Sequence, residues 1–516
     1  MARVSVSRGA PEQAVDPRVA ERVLDYRRVR EQIERSVLPL ATSVDGRTFD
    51  CQASLHQLAL RRGGYVVLEA EGRRRLGQVT HLGTGSASAG SEGIAGAGAG
   101  VLVRLAQGTG IVLETDGEPF HDAAVRPAET HEVDAWFSQH RATVRTGLTV
   151  GELLLAPGVP VTLDSGGLGR HTFMCGQSGS GKTYSLGVLL ERVLMETSLR
   201  VVVIDPNSDY VGLGRVRDDA DPQVARRYAD VVGDVRVWRN DPAAEHPLRL
   251  RFADLEPAAQ AAVLGLDPVR DRDEYAVLGE LLHAQERGEP LVTGVDQLLE
   301  ADRPGARGLG LRAANLGVLD WQVWSPVLPS LVDELRDPTA RCVVVDVGSL
   351  ATAQEQRLVT DAVLSTLWQA RAQRQPCLVV VDEAHNVCPA EPGDELTRLS
   401  TERAVQIAAE GRKYGLYLLT STQRPHKVHE NVVSQCDNLL LMRMSSASDV
   451  ADLSRLLSFA PAGLMEGATT FGMGEALVAG KVVPHGCYVR TGRRVSAEGG
   501  ADVPATWAEV RRTPKA

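Results

Sequence analysis

The chain has 516 residues, an ordinary apolar share of 43% and a formal net charge of −10. That length suits two to four domains, and the charge excludes a protein that coats nucleic acid by bulk positive charge, leaving only local basic surfaces or a ring of them. The seven cysteines (51, 175, 342, 377, 388, 436, 487) form no CxxC pair and no zinc spacing, so a reducing cytoplasm without structural disulfides is expected.

No stretch reaches the roughly 18 uncharged apolar residues of a membrane span, and "MARVSVSRGAPEQAVD" lacks the apolar core of a secretory signal. Residues 1–35 read as a polar arm and a charged helix, "DPRVAERVLDYRRVREQIERS". From 36 to 150 the apolar runs are short: "GYVVLEAEG", "LGQVTHLG", "GVLVRLAQG", "GIVLETDG". Short strands at that spacing predict a small β-barrel or sandwich. Within it, "GTGSASAGSEGIAGAGAG" (83–100) is low-complexity and reads as a flexible loop.

Residues 151–495 read as a second domain with strand–helix alternation. Its buried-strand candidates are "HTFMCG", "RVVVIDP", "CVVVDV", "CLVVVDE" and "GLYLLTSTQ". Val-rich runs separated by helical patterns mean a parallel sheet covered on both faces, an α/β fold. Between the second and third runs, about 215–340 reads as a helical insertion; "NLLLMRM", "GEALVAG" and "GCYVRTG" read as further strands, and 496–516 as a polar tail.

The stretch "GQSGSGKT" fits G-x-x-x-x-G-K-[ST] between strand "HTFMC" and helix "YSLGVLLERVLME". Its glycines let backbone N–H groups turn around phosphate oxygens, with the helix N-terminus adding partial positive charge. Gly176, Gln177, Ser178, Gly179, Ser180, Gly181, Lys182, Thr183 and Tyr184 are the nucleotide-binding candidates. Lys182 is expected on the β- and γ-phosphates and Thr183 on Mg²⁺. In "LVVVDEAH" an acidic pair ends a buried strand, where such sheets bind ligands. Asp382 is expected to hold Mg²⁺, and Glu383 to polarise the attacking water. Asp205 and Asp346 also end strands, where Asp caps turns. His385, Cys388 and His426 show no ligand spacing.

The segments "GQSGSGKT", "VVVIDPNSDYV", "VVVDEAHNVCP" and "EGRKYGLYLLTSTQRP" follow in this order. Together they resemble the HerA-like branch of the HerA/FtsK superfamily of hexameric DNA-translocating ATPases, over roughly 36–500. The resemblance implies a RecA-like P-loop core with a helical insertion, preceded by a β-barrel, with ATP and Mg²⁺ as cofactors. It implies that the strand ending in "STQRP" lies between the phosphate-loop strand and the acidic strand. Gln423 would then sense the γ-phosphate of its own subunit, and Arg412 would serve as an arginine finger in the neighbour's site, with Lys413 beside it. Arg170 matches a basic residue used near the nucleotide; a solvated Arg at a strand start is the other reading.

Where the family commonly has His-Gly-Glu this chain has "DPNSDY", which weakens any catalytic role for Asn207 or Ser208 while Asp209-Tyr210 keeps an acidic–aromatic end. Pore loops at 389–400 and 425–432 would bring Arg398, His426 and Lys427 to DNA, a solvated surface being the other reading. The function implied is a cytoplasmic, hexameric translocase or helicase on double-stranded DNA. It would work with a partner nuclease, or an anti-phage defence effector, docked on the barrel. The alternative is a nucleotide-gated scaffold ring that regulates such an effector with little translocation.

Overall fold

The computed structural model describes residues 21–25, 27–29, 38–55, 58–88, 102–114, 117–287, 295–325 and 329–500. Most of the 1–35 arm and residues 501–516 of the tail lie outside these. The chain divides into two compact units between Glu129 and Thr130.

In the first unit, six strands close into a barrel in the order β1-β2-β5-β4-β3-β6. They are β1 (Leu40–Ser43), β2 (Thr48–Ser54), β3 (Tyr65–Ala70), β4 (Arg73–Ser88), β5 (Leu102–Val112) and β6 (Phe120–Pro127). Strand β2 alternates exposed and buried residues, which turns Phe49, Cys51 and Ala53 inward. Two expectations are corrected. "GVLVRLAQG" and "GIVLETDG" are one strand, β5, not two. Residues 83–88, expected in a loop, continue β4. The glycines that look like turn signals are interior to the strands for a packing reason. A Cβ on Gly110 would stand 2.2 Å from Phe49 Cζ, and one on Gly85 2.2 Å from Gln107 Cδ.

The second unit is built on a 12-stranded sheet, β12-β11-β13-β10-β14-β15-β9-β16-β17-β18-β7-β8. In chain order these strands are β7 (Gly147–Leu153), β8 (Pro160–Asp164), β9 (His171–Cys175), β10 (Arg200–Asp205), β11 (Val235–Arg239), β12 (His246–Pro247), β13 (Cys342–Asp346), β14 (Cys377–Val381), β15 (Leu416–Thr422), β16 (Cys436–Met442), β17 (Glu475–Gly480) and β18 (Cys487–Thr491). From β12 to β16 every pairing is parallel, and the rest are antiparallel. Strands β9, β13 and β14 are buried at every position, as helix-covered parallel strands require.

Strand β15 lies between β14 and β9, as the resemblance implied.

The boundary expected at 150 falls inside β7. That strand pairs with β18, Val489 opposite Leu153, so helix α1 (Thr130–Thr143) and β7–β8 belong to the second unit. The insertion is not wholly helical: "VRVWR" forms β11, parallel to β13. Its arginines hid the strand pattern; Arg236 pairs with Glu334 at 2.8 Å and Arg239 with Asp346 at 3.6 Å. Nor does a polar tail begin at 496: Ser496 is fully buried and bridges Val216. All seven cysteines are free and buried. Among the described residues no helix is long and apolar enough to cross a membrane.

Candidate functional site

The carboxyl ends of the parallel strands carry the site, where such sheets leave a crevice for ligands. Residues 176–181 connect β9 to helix α2 (Lys182–Glu196). Gly179 and Gly181 take φ of +71° and +88°, which side chains resist, so glycine is required there. A Cβ on Gly176 would come within 2.7 Å of both Met442 Cβ and Ser180 Oγ. The loop is held from both flanks: Gly176 N–H donates to Thr422 O at 3.2 Å and Gln177 N–H to Arg443 O at 2.9 Å.

Lys182 is buried. Its Nζ donates to Asp382 Oδ1 at 2.7 Å and Ser421 Oγ at 3.0 Å, and lies 3.2 Å from Glu383 Oε1. Burial works against the ammonium, but the Asp382 and Glu383 carboxylates outweigh it and raise its pKa. Glu383 sits in the left-handed region, φ 45° and ψ 50°, an unfavourable backbone for a non-glycine residue. That turn points its carboxylate back over β15, where Gln423 Nε2 donates to Oε1 at 2.7 Å. His385 Nδ1 stands 3.2 Å from Glu383 Oε2 and 3.0 Å from Thr422 Oγ1. Burial alone would raise the Glu383 pKa. The His385 hydrogen bond, the Lys182 charge and the Gln423 hydrogen bond together bring it down to about 2.

Thr183 Oγ1 donates to Asp209 Oδ2 at 3.3 Å. Burial and the nearby Asp382 charge raise the Asp209 pKa. Asp382 is fully buried, yet its Oδ2 has no hydrogen-bond partner. A hydroxyl, a carboxylate oxygen without a partner and an adjacent carboxylate are hard oxygen donors that fit Mg²⁺. No cluster of three His, Cys, Asp or Glu among the described residues could hold a metal by itself. Bound there, Mg²⁺ would neutralise phosphate charge.

Asp205 serves the turn after β10, accepting the N–H groups of Asn207, Asp209 and Tyr210. Burial pushes its pKa up to about 7. Asp346 accepts Ser208 Oγ–H at 2.7 Å, so Ser208 is structural.

Two predicted residues are not brought to this chain's own phosphate loop. Arg170 and Arg412 lie at the opposite edge of the sheet, where both face Asp437 Oδ2, at 3.1 and 3.5 Å. They precede β9 and β15 respectively, and those strands run away from them to the site. Arg398 is engaged by Glu395 and Glu402 on its own helix (Glu395–Glu410), and His426 Nδ1 lies 3.7 Å from Asp449. Sequence reasoning missed His385 as a partner of Glu383, having weighed it only as a metal ligand. It also missed Ser421, two residues before the quoted Gln423 signal, and the contact of Asp209 with Thr183.

The family model described as "Helicase HerA, central domain" matches residues 148–304. The chain is 22% identical to the DNA double-strand break repair helicase HerA of Pyrococcus furiosus over 67% of its length and 69% of that protein's. It is 24% identical to the protein of the same name from Sulfurisphaera tokodaii, over 82% and 87%. These matches support a HerA/FtsK-type ATPase. Among solved structures, VirB4 of Thermoanaerobacter pseudethanolicus is 18% identical with a TM-score of 0.47, over 67% of this chain and 96% of that one. The Lys182–Asp382–Glu383–Gln423 constellation is the candidate hydrolytic apparatus of such an ATPase. Phosphates entering the loop offer Lys182 a stronger anionic partner than the acidic pair. Its withdrawal would leave Glu383, held by His385 and Gln423, free to accept a hydrogen bond from water.

Proposed function

We propose that the chain assembles into a ring, most simply a hexamer, and couples ATP hydrolysis at subunit interfaces to movement along double-stranded DNA. The six-stranded barrel serves as the docking surface for a partner nuclease or other effector, in DNA-end processing or anti-phage defence. Mg²⁺ acts with Thr183 and Asp382, Gln423 senses the γ-phosphate, and Arg412 enters the neighbour's site. The relatives' names, DNA double-strand break repair helicase, support the DNA substrate.

One observation carries the ring. Arg412 and Arg170 share Asp437 at the sheet edge opposite the phosphate loop. The seven residues of β15 span about 20 Å at roughly 3.3 Å each, too far for Arg412 to reach its own chain's nucleotide. Asp437 holds both guanidiniums away from this chain's own phosphate loop, which supports their use in a neighbouring subunit's site.

The test combines mass measurement with ATPase assays, with and without duplex DNA. An oligomer strongly stimulated by duplex supports the proposal; a monomer with full activity refutes it. The scaffold reading is favoured by one observation, that Arg398, a pore-loop candidate, is already paired within its own helix. An oligomer indifferent to DNA would support that reading instead.

A further inference from the structure

The phosphate loop opens into a cavity of about 640 Å³, within the size range of small-molecule sites. The strand order divides its walls. On one side of the loop strand β9 stand β15 and β14, with Gln423 and the acidic pair; on the other stand β16, β17 and β18. The candidate hydrolytic groups stand on the first side, where Lys182 meets Asp382. Met473, Arg490, Arg493 and Glu498 line the cavity as well, and they come from the turn before β17, the end of β18 and the segment after it.

We propose that this second wall binds the nucleoside half of ATP, with Met473 under the base and Glu498 accepting hydrogen bonds from nucleoside O–H or N–H groups. The proposal rests on the ATPase reading of the same cavity and extends it to residues outside the phosphate-loop motif.

The wall is built, not incidental. Gly474 N–H donates to Ser180 O at 2.8 Å, and Thr491 N–H to Gly474 O at 2.9 Å, which ties both strand ends to the phosphate loop. The segment after β18 is pinned across helix α2. Arg494 N–H donates to Tyr184 OH at 2.7 Å, and the fully buried Glu191 accepts the N–H groups of Val495 and Ser496 at 2.6 to 3.0 Å. Gly187 makes room for this crossing, since a Cβ there would lie 2.5 Å from Arg494 Cζ. Glu498 is thereby set at the cavity rim, where Arg217 Nη1 donates to its Oε1 at 3.0 Å and leaves Oε2 for a ligand.

Met473 is 77% exposed, and apart from Tyr184, whose hydroxyl is engaged by Arg494 N–H, the rest of the pocket lining is polar, charged or glycine. A flexible thioether held open at a pocket mouth gains most from a flat aromatic ring laid on it. Arg490 is partly neutralised by Glu475 at 3.3 Å, which leaves Arg493 as the more available cation for an α-phosphate.

The test is equilibrium titration calorimetry of the full chain with Mg²⁺ and three probes: ADP, 2′-deoxy-ADP and inorganic triphosphate. Met473→Ala and Glu498→Gln are each expected to weaken ADP binding by about five- to tenfold and to leave triphosphate binding unchanged. The triphosphate arm also reports that each variant is folded. An effect of Glu498→Gln that disappears with 2′-deoxy-ADP assigns Glu498 to the ribose 2′-hydroxyl; one that persists assigns it to the 3′-hydroxyl or the base. ADP affinity within about twofold of wild type in both variants overturns the proposal. So does a wild type that binds triphosphate as tightly as ADP, which would leave the phosphate site intact. A wild type that binds none of the three probes would overturn the ATPase reading itself.

Discussion

The two edges of the central sheet are made from the same strands and end in opposite chemistry. At the carboxyl edge, Lys182, Asp382, Glu383, Ser421 and Gln423 form one connected cluster, dense in bonds and mostly buried. At the amino edge, Arg170 and Arg412 share a single carboxylate, Asp437, and stay about two-fifths exposed. Exposed ion pairs bind weakly, on the order of 0–1 kcal/mol, so they exchange partners readily. The carboxyl edge is a preorganised cluster; the amino edge is a pair of cations held loosely by one carboxylate.

The sharpest way to break this comparison is Arg412→Ala. If Arg412 acts in a neighbour's site, ATPase should fall by about 10³- to 10⁵-fold. Mixing Arg412→Ala with Glu383→Gln subunits should restore some turnover, because one mixed interface then holds both intact groups. Normal turnover by Arg412→Ala would place that edge outside the chemistry.

Glu383→Gln comes next, with an expected loss of about 10²- to 10⁴-fold in kcat. Binding of ADP, followed by calorimetry, should be retained, since Gln keeps the size of the group and its contact with Gln423. A parallel collapse of ADP affinity would show that Glu383 organises the pocket instead of the water.

Leu418→Ala probes what joins the edges. Leu418 is 1% exposed in the middle of β15. Its truncation should cost about 2–5 kcal/mol of stability in denaturant unfolding, while single-turnover chemistry in the folded fraction persists. A loss of chemistry without a loss of stability would contradict the view of β15 as a passive spacer.

The smallest effect separates the edges by pH. Burial, with the Arg412 charge, lowers the His171 pKa to about 4, so the folded state binds fewer protons there than the unfolded chain. Its contribution therefore rises with pH between about 4 and 6.5. Asp205, raised to about 7 by burial, does the reverse: its contribution is fullest below about 4 and is lost as pH climbs to 7. Asp205→Asn should remove its share of the falling component, leaving that of Asp361, which burial also raises to about 7, so the profile should fall less steeply across that window. An unchanged pH profile would mean Asp205 titrates normally.

Much of this was legible in the chain. The phosphate loop and acidic pair are local patterns whose residues act within a few positions of one another, so strand and helix signals around them sufficed. The Val-rich runs, apolar on both faces, announced a covered parallel sheet. Glycines misled the reading of the barrel. In "AQGTGIV" they stand inside β5, because Phe49 and Cys51 from β2 occupy the space a side chain would need. Strand β11 was missed because Arg236 and Arg239 find acidic partners distant in sequence.

By itself the sequence named the candidates for holding phosphates, metal and water, since backbone conformation and side-chain chemistry at those positions are set by near neighbours. Only the tertiary structure decided which of them meet. The parallel strand order sends Gln423 to Glu383 and Arg412 to Asp437, one strand apart in sequence and at opposite edges in space. It also brings the segment after Thr491 across the phosphate-loop helix. Pairing between strands far apart in the chain is decided by how the core packs, and no local pattern encodes that.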